Sequence, residues 1–584
     1  MGNKAGISHA EVKNEENNMS GLKPFLVAGA IVTLLVTSAF AERGADGAVN
    51  ILNWQAPSMM NPYLSGSDND TIPASLVLEP LAGYDENGEL FPRLAADIPT
   101  IENGGVSKDL KSITWTLKPG LKWSDGTPVT AKDVVFTANY CMDPKGGCTQ
   151  LFRFEGVDKV EALEDLTVEV AFKEPTAVPY TLFVSASSPI IQARQFTDCL
   201  GAKAPTCTQA NFYPVGTGPF VVTNFKPSDA IQLKANPNYR DSNKPAVAEV
   251  NYKGGGDALG AARAVLQTGE YDYALNVQLA PDVLSKMAKA GKGKVLSSYG
   301  TWVETLFMNL TDPSPSLPPD ERSTAKHPNP ILSDVRVREA LSMALDRAKL
   351  SEIGYGSMGK PTCDWIPAPA NFAAGNTECL KQDIPGAVKL LDEAGWNPGP
   401  DGIREKDGKK LKLTFVTTTN SIRNQFQAII KQWWREIGVD VELKSLDTSV
   451  LFGSDSTSPN TAQRFYADVQ MWTNYASGTD LGSYVKTFTC SQVPGPDNQW
   501  QGWNMPRYCD KDYETLVTEL GRTADIKKRS EIVKKLDTVL ADSYAIMPLV
   551  WRANVSGLSN TLGGSAMNAW DSELWNAQDW YRKK

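Results

Sequence analysis

Histidine is almost missing from this chain: of 584 residues only His9 and His327 are His. A Ser-His-Asp hydrolase would have to rest on His327, which lies between prolines in "TAKHPNPILS", the setting of a solvated loop. A histidine-built metal or haem site meets the same obstacle. Neither a metal nor another cofactor is expected. No basic run is present and the formal net charge is -9, which argues against nucleic acid as a partner. The glycines of "KGGGDALG" have the wrong spacing for a dinucleotide loop, and "SGSDND" lacks the spaced ligands and distal Glu of a calcium loop. No repeat or low-complexity linker interrupts the chain. Paired carboxylates are too numerous to be informative, so a secreted hydrolase such as a glycosidase stays open as a different class of function.

What is present describes an exported, ordinary globular chain. The composition is 41% hydrophobic and 21% charged, and the length calls for more than one core. Near the N-terminus, Lys23 precedes the apolar run "FLVAGAIVTLLVTSAFA", which closes on Ala39-Phe40-Ala41. That pattern predicts a signal peptide over 1–41, cut before Glu42, with Met19 as an alternative start; a retained membrane anchor is the competing reading. The eight cysteines fall into four sequence neighbours: Cys141 with Cys148, Cys199 with Cys207, Cys363 with Cys379, Cys490 with Cys509. In an exported chain such couples predict disulfide-closed loops, although spacing alone leaves the connectivity open, and none is the C-x-x-C of a zinc knuckle.

Strands and helices alternate along the rest. "VNILNW" reads as a buried first strand and "LTVEVAF" as a half-exposed one. "VRVREALSMALD" and "IRNQFQAIIKQWWREIG" are amphipathic helices, the second with a stripe through Phe426, Ile429, Ile430 and Trp433 and a stop at Gly438. Such returns imply α/β layers. The proline-rich Thr311–Pro330 is the expected long surface excursion.

One stretch is more specific. In "LKPGLKWSDGTPVTAKDVVFTANY", Ile113–Leu117 alternates as a strand, Pro119-Gly120 turns, Leu121–Trp123 continues as a strand and Asp125-Gly126 turns again. Thr130 then caps a helix whose Asp133 reaches back to the cap. Trp115, Leu121, Trp123, Val134, Val135 and Phe136 supply a miniature core.

The run Trp123–Thr137 resembles the signature of the family 5 extracellular solute-binding proteins, the peptide receptors of ABC importers, and matching segments extend from about Asn50 to about Trp551. The resemblance implies a two-lobed α/β periplasmic-binding-protein fold of type II, in the large variant with an extra subdomain on the first lobe. It implies lobe I over 42–300 with the side subdomain at about 87–208, lobe II over 301–540, and a return to lobe I over 541–584. It further implies a non-enzymatic, periplasmic, monomeric receptor that closes on a small solute and hands it to a membrane permease. A peptide is the first expectation, with an oligosaccharide or opine-like solute as the alternative.

A closing cleft needs aromatic walls, amides and hinges rather than a nucleophile. Candidate ligand contacts follow the buried strands: Gln55, Asn61 and Tyr63 after the first, Trp302 and Glu304 before "LFMNL", Trp472, Asn474 and Tyr475 after "ADVQMW". Peptide-binding members of the family carry an Asp three residues after a Trp in this last segment. Here that position is Tyr475, and Asp480 is the nearest substitute for an amine clamp.

Overall fold

The computed structural model describes residues 42–453, 455 and 457–583. The expected signal segment, residues 1–41, lies outside the described residues. Two large mixed sheets and a three-stranded sheet organise the chain. The first large sheet has seven strands, in the order Gly293–Ser298, Asn554–Ser559, Tyr273–Leu275, Ala48–Asn53, Glu249–Gly254, Ala230–Ala235, Phe220–Lys226. Its alternation feeds two cores: Tyr273 and Leu275 face one, with Val49 and Ile51, while Ala274 between them faces the other, with Val265 and Leu266.

The second sheet has six strands: Gly359–Pro361, Ile546–Arg552, Val303–Met308, Val469–Asn474, Lys412–Thr418, Asp440–Leu446. Val303–Met308 is buried along its whole length, with Leu306 and Met308 on one core and Phe307 on the other. Helix Ser421–Glu436 covers one face through Phe426, Ile430 and Trp434. The buried Trp of the "WW" pair is therefore Trp434, whose Nε1 donates to Leu341 O at 3.0 Å, while Trp433 lies at the rim of that core.

The chain crosses between the large sheets twice, from Ser298 to Val303 and from Arg552 to Asn554. Two α/β lobes joined in this way are the expected architecture. The return expected at 541 falls later, because Ile546–Arg552 pairs with Val303–Met308 inside the second sheet. We propose the lobe boundaries at these crossings, with the side subdomain at about 87–208.

The three-stranded sheet, Ser112–Thr116, Thr167–Phe172 and Val157–Glu164, lies inside that segment and packs with helix Ala131–Met142 around Trp115, Trp123 and Tyr140. Asp133 ties this unit together. It accepts from Thr130 N at 2.9 Å as the capping box requires, from Trp123 Nε1 at 3.4 Å, and from Ala193 N at 3.0 Å. Leu121–Trp123 is not a strand. It carries only a bridge between Lys122 and Pro128, closed by Trp123 N to Thr127 O at 2.9 Å, because the Asp125-Gly126 turn leaves too few residues to extend a ladder.

All eight cysteines are paired, as Cys141–Cys148, Cys199–Cys207, Cys363–Cys379 and Cys490–Cys509, with Cα–Cα distances of 4.8–5.8 Å. Peptide mapping without reductant is expected to recover these four linked pairs and no alkylated cysteine. A free thiol at any of them, or an exchanged pair, would contradict this pairing.

Candidate functional site

A cavity of about 230 Å³ lies between the two large sheets. The end of the first strand contributes Trp54 and Gln55, the side subdomain contributes Gln150, Phe152 and Arg153, and the second lobe contributes Trp302, Arg423, Trp472–Tyr475 and Arg552. Side-chain hydrogen bonds span the lobes at its edge: Gln55 Nε2 to Thr448 Oγ1 at 2.8 Å, Asn420 Nδ2 to Gln278 Oε1 at 2.6 Å, Tyr475 OH to Asp68 Oδ1 at 2.6 Å, and Trp503 Nε1 to Thr149 O at 2.9 Å.

Behind the second-lobe wall is a buried ion cluster. Glu304 has no exposed surface and accepts from Arg423 Nε at 2.9 Å and Nη2 at 3.1 Å, from Arg552 Nε at 3.3 Å, from Tyr355 OH at 2.7 Å, and from the Thr473 hydroxyl. Burial by itself would raise the Glu304 carboxyl, but the charges and hydrogen bonds of Arg423 and Arg552 outweigh it and hold the pKa at about 2. Glu304 does not touch the cavity; it fixes the two arginines that do.

The aromatic candidates largely cover one another. Trp302 stacks on Tyr475 at 4.2 Å and 5°, and the Arg552 guanidinium lies 4.9 Å from its ring centroid. Trp472 stacks on Phe307 at 4.3 Å and is met edge-on by Phe452. On two lining residues, Trp302 Nε1 and Tyr484 OH are buried without a hydrogen-bond partner.

Gln55, Trp302, Trp472, Asn474 and Tyr475 thus come together on the cavity wall. Asn61 and Tyr63 do not. Asn61 caps the turn at Pro62 and donates to Tyr140 OH and Asn211 Oδ1, while Tyr63 OH donates to Pro189 O, so both serve the packing beneath the side subdomain. Asp480 is also off the cavity, bound to the buried Arg529 guanidinium, and is spent as an amine clamp.

Four lining charges escaped the sequence reading: Arg423 and Arg552, which Glu304 holds, and Asp68 and Arg153. Asp68 opens helix Asp68–Ala74 in "SGSDND", and burial raises its carboxyl. Arg153 donates only to neutral groups: Gln150 Oε1 at 2.9 Å, Thr181 O at 3.2 Å and Ser187 Oγ at 2.7 Å. Three of its five N–H groups are used, and no carboxylate among the described residues pairs with it. The signal available for Asp68 was an acidic helix start soon after the first strand; Arg153 had none.

Two α/β lobes closing on a cavity walled by aromatics, amides and fixed charges define a solute-binding protein. The chain belongs to the bacterial extracellular solute-binding proteins of family 5, whose profile matches residues 89–495. It is 25% identical over 558 residues to the oligopeptide-binding protein AppA of Bacillus subtilis, covering 93% of this chain and 92% of that protein. The solved structure of Bacillus subtilis AppA with a nonapeptide matches with a TM-score of 0.77 at 21% identity, over 93% of this chain and all of that one. The AgaA protein of A. tumefaciens R10, solved with agropinic acid, matches with a TM-score of 0.74 at 20% identity, over 92% of this chain and 99% of that one.

The Glu304 network makes a prediction with a definite sign. The folded pKa lies below the ordinary 4.5, so its contribution to stability is complete above that value and is lost as pH falls toward about 2. Glu304→Gln is expected to cost about 3 kcal/mol in urea unfolding at pH 7, with the gap to wild type narrowing on acidification. A gap independent of pH would contradict the assignment.

Proposed function

We propose that the protein is an exported receptor that traps a short peptide between its lobes and delivers it to an ABC-transporter permease. The observation that carries this reading is the presence, on one cavity, of a carboxylate with one oxygen unused, Asp68, and an arginine that has no acidic partner among the described residues, Arg153. A zwitterion satisfies both charges at once, whereas a neutral sugar would leave them buried and unmatched.

Size points to a short ligand. The cavity of about 230 Å³ has room for a di- or tripeptide. Export through the segment ending before Glu42, a periplasmic site of action and a monomeric state complete the proposal. Among the described residues no helix is long and apolar enough to cross a membrane.

Native mass spectrometry of the protein as purified is expected to show a retained solute of di- or tripeptide mass. Added back, that solute should raise Tm with concentration by mass action. Arg153→Gln should weaken it by at least about 30-fold, and C-terminal amidation of the ligand should cost wild type a similar factor. A retained sugar, or Arg153→Gln binding as wild type does, would overturn the reading.

A further inference from the structure

Next to the main cavity is a second, water-sized chamber of about 20 Å³, which shares Asp68, Trp302 and Tyr475 with it. Its other lining residues include Asp571, Glu573 and Asn554, so three carboxylates surround a space that admits a single small group. Glu573 and Asn554 are 2% and 3% exposed.

None of the three acids has a basic partner within ion-pair distance among the described residues. Asp571 is held by the backbone N–H groups of Ala186, Tyr84 and Ser572 at 2.8–3.1 Å. Glu573 accepts from Tyr273 OH at 2.7 Å and Asn554 Nδ2 at 3.1 Å. The arginines whose charge reaches the chamber are committed elsewhere: Arg552, which acts on Asp68, pairs with Glu304, and Arg93, which acts on Asp571, pairs with Glu79. Arg153 also acts on Asp571, but its bonds go to neutral groups. Burial raises all three carboxyls, and Asp68 and Glu573 raise the cost further by mutual repulsion. The chamber is short of positive charge.

It is also short of donors. Asn554 Oδ1 is buried with no hydrogen-bond partner, and Asp68 uses Oδ1 on Tyr475 and leaves Oδ2 unused. An unpartnered buried amide oxygen costs about 1–3 kcal/mol unless something donates to it. The matching group is small, carries one positive charge and donates several hydrogen bonds. A primary ammonium meets all three conditions; a guanidinium or a quaternary ammonium is too large for the space.

We infer that this chamber is the amine subsite of the ligand, with Asp68 Oδ2 and Asn554 Oδ1 receiving a primary ammonium and Asp571 and Glu573 supplying the remaining negative field. Charge recognition thereby sits on the first lobe and at the return crossing, whereas the second-lobe position where peptide-binding relatives carry Asp is the Tyr475 that braces Asp68. The inference deepens the peptide reading, yet it requires only a primary amine on the solute.

The test uses wild-type protein freed of its solute by unfolding and refolding. It is incubated with an equimolar pool of di- and tripeptides and amino sugars, or with the same pool N-acetylated. Native mass spectrometry should show retention from the amine pool and none from the acetylated one. Asp68→Asn should lower the affinity for whatever is retained by at least about 30-fold. Retention of amino sugars without peptides would sustain the amine subsite and defeat the peptide reading. Equal retention of acetylated members, retention from neither pool, or unchanged binding by a folded Asp68→Asn protein would overturn the inference.

Discussion

Glu304 keeps a full negative charge with none of its surface in water, and it does so because two guanidinium groups and two hydroxyls converge on it. Its partners come from four places in the chain. Arg423 stands in the first turn of helix Ser421–Glu436, Thr473 on the neighbouring strand, Tyr355 just beyond helix Arg347–Gly354, and Arg552 at the last residue before the chain returns to the first lobe. A buried ion pair is not in itself a gain over apolar packing, but removing one member strands the others. The cluster therefore fixes the relative positions of the crossing strand, the helix start and the cavity wall, and Trp302, itself stacked on Tyr475, lies against the Arg552 guanidinium it holds.

The closing contacts are of a different kind. The bonds between Gln55 and Thr448, Asn420 and Gln278, Tyr475 and Asp68, and Trp503 and Thr149, with those of Ser491 and Gln492 to Glu155 further out, are polar, each worth about 1 kcal/mol net. A rigid wall against weak closing contacts suits a receptor: a solute that bonds to both lobes shifts the population toward the closed state by its differential affinity, while the wall it meets is already formed. The unpartnered Trp302 Nε1, Tyr484 OH and Asn554 Oδ1 are polar groups that such a solute would complete.

Local chemistry was legible in the sequence to the extent that it depends on near neighbours. The Thr130 and Asp133 capping box, the buried Trp115 and Trp123, the cysteine couples and the helix ending before Gly438 follow from spacing and turn residues alone. The cavity was legible only in part, because being close behind a strand does not fix which way a side chain faces. Gln55 and Asn474 line it, whereas Asn61, also in a post-strand loop, turns inward as a cap, and Asp480 is taken by Arg529, 49 residues away. Two of the lining charges, Asp68 and Arg153, lie 85 residues apart in sequence and reach the same cavity only through tertiary packing, and no spacing rule connects them. Trp433 does pack at the rim of that core, but the fully buried Trp434 was missed for the same reason: two adjacent tryptophans differ by one helical step, and the contact with Leu341 decides which is buried.

A crystal structure of the protein loaded with its own solute tests the account most directly. The account predicts solute density in the cavity between the lobes, with one end at Asp68 and Asn554, the other at Arg153, and the Glu304 cluster unchanged from the geometry described above. Solute bound outside that cavity, for instance in the separate surface depression lined by Asp312, Arg322 and Tyr466, or a cavity wall that rebuilds around the Glu304 cluster on binding, would contradict it.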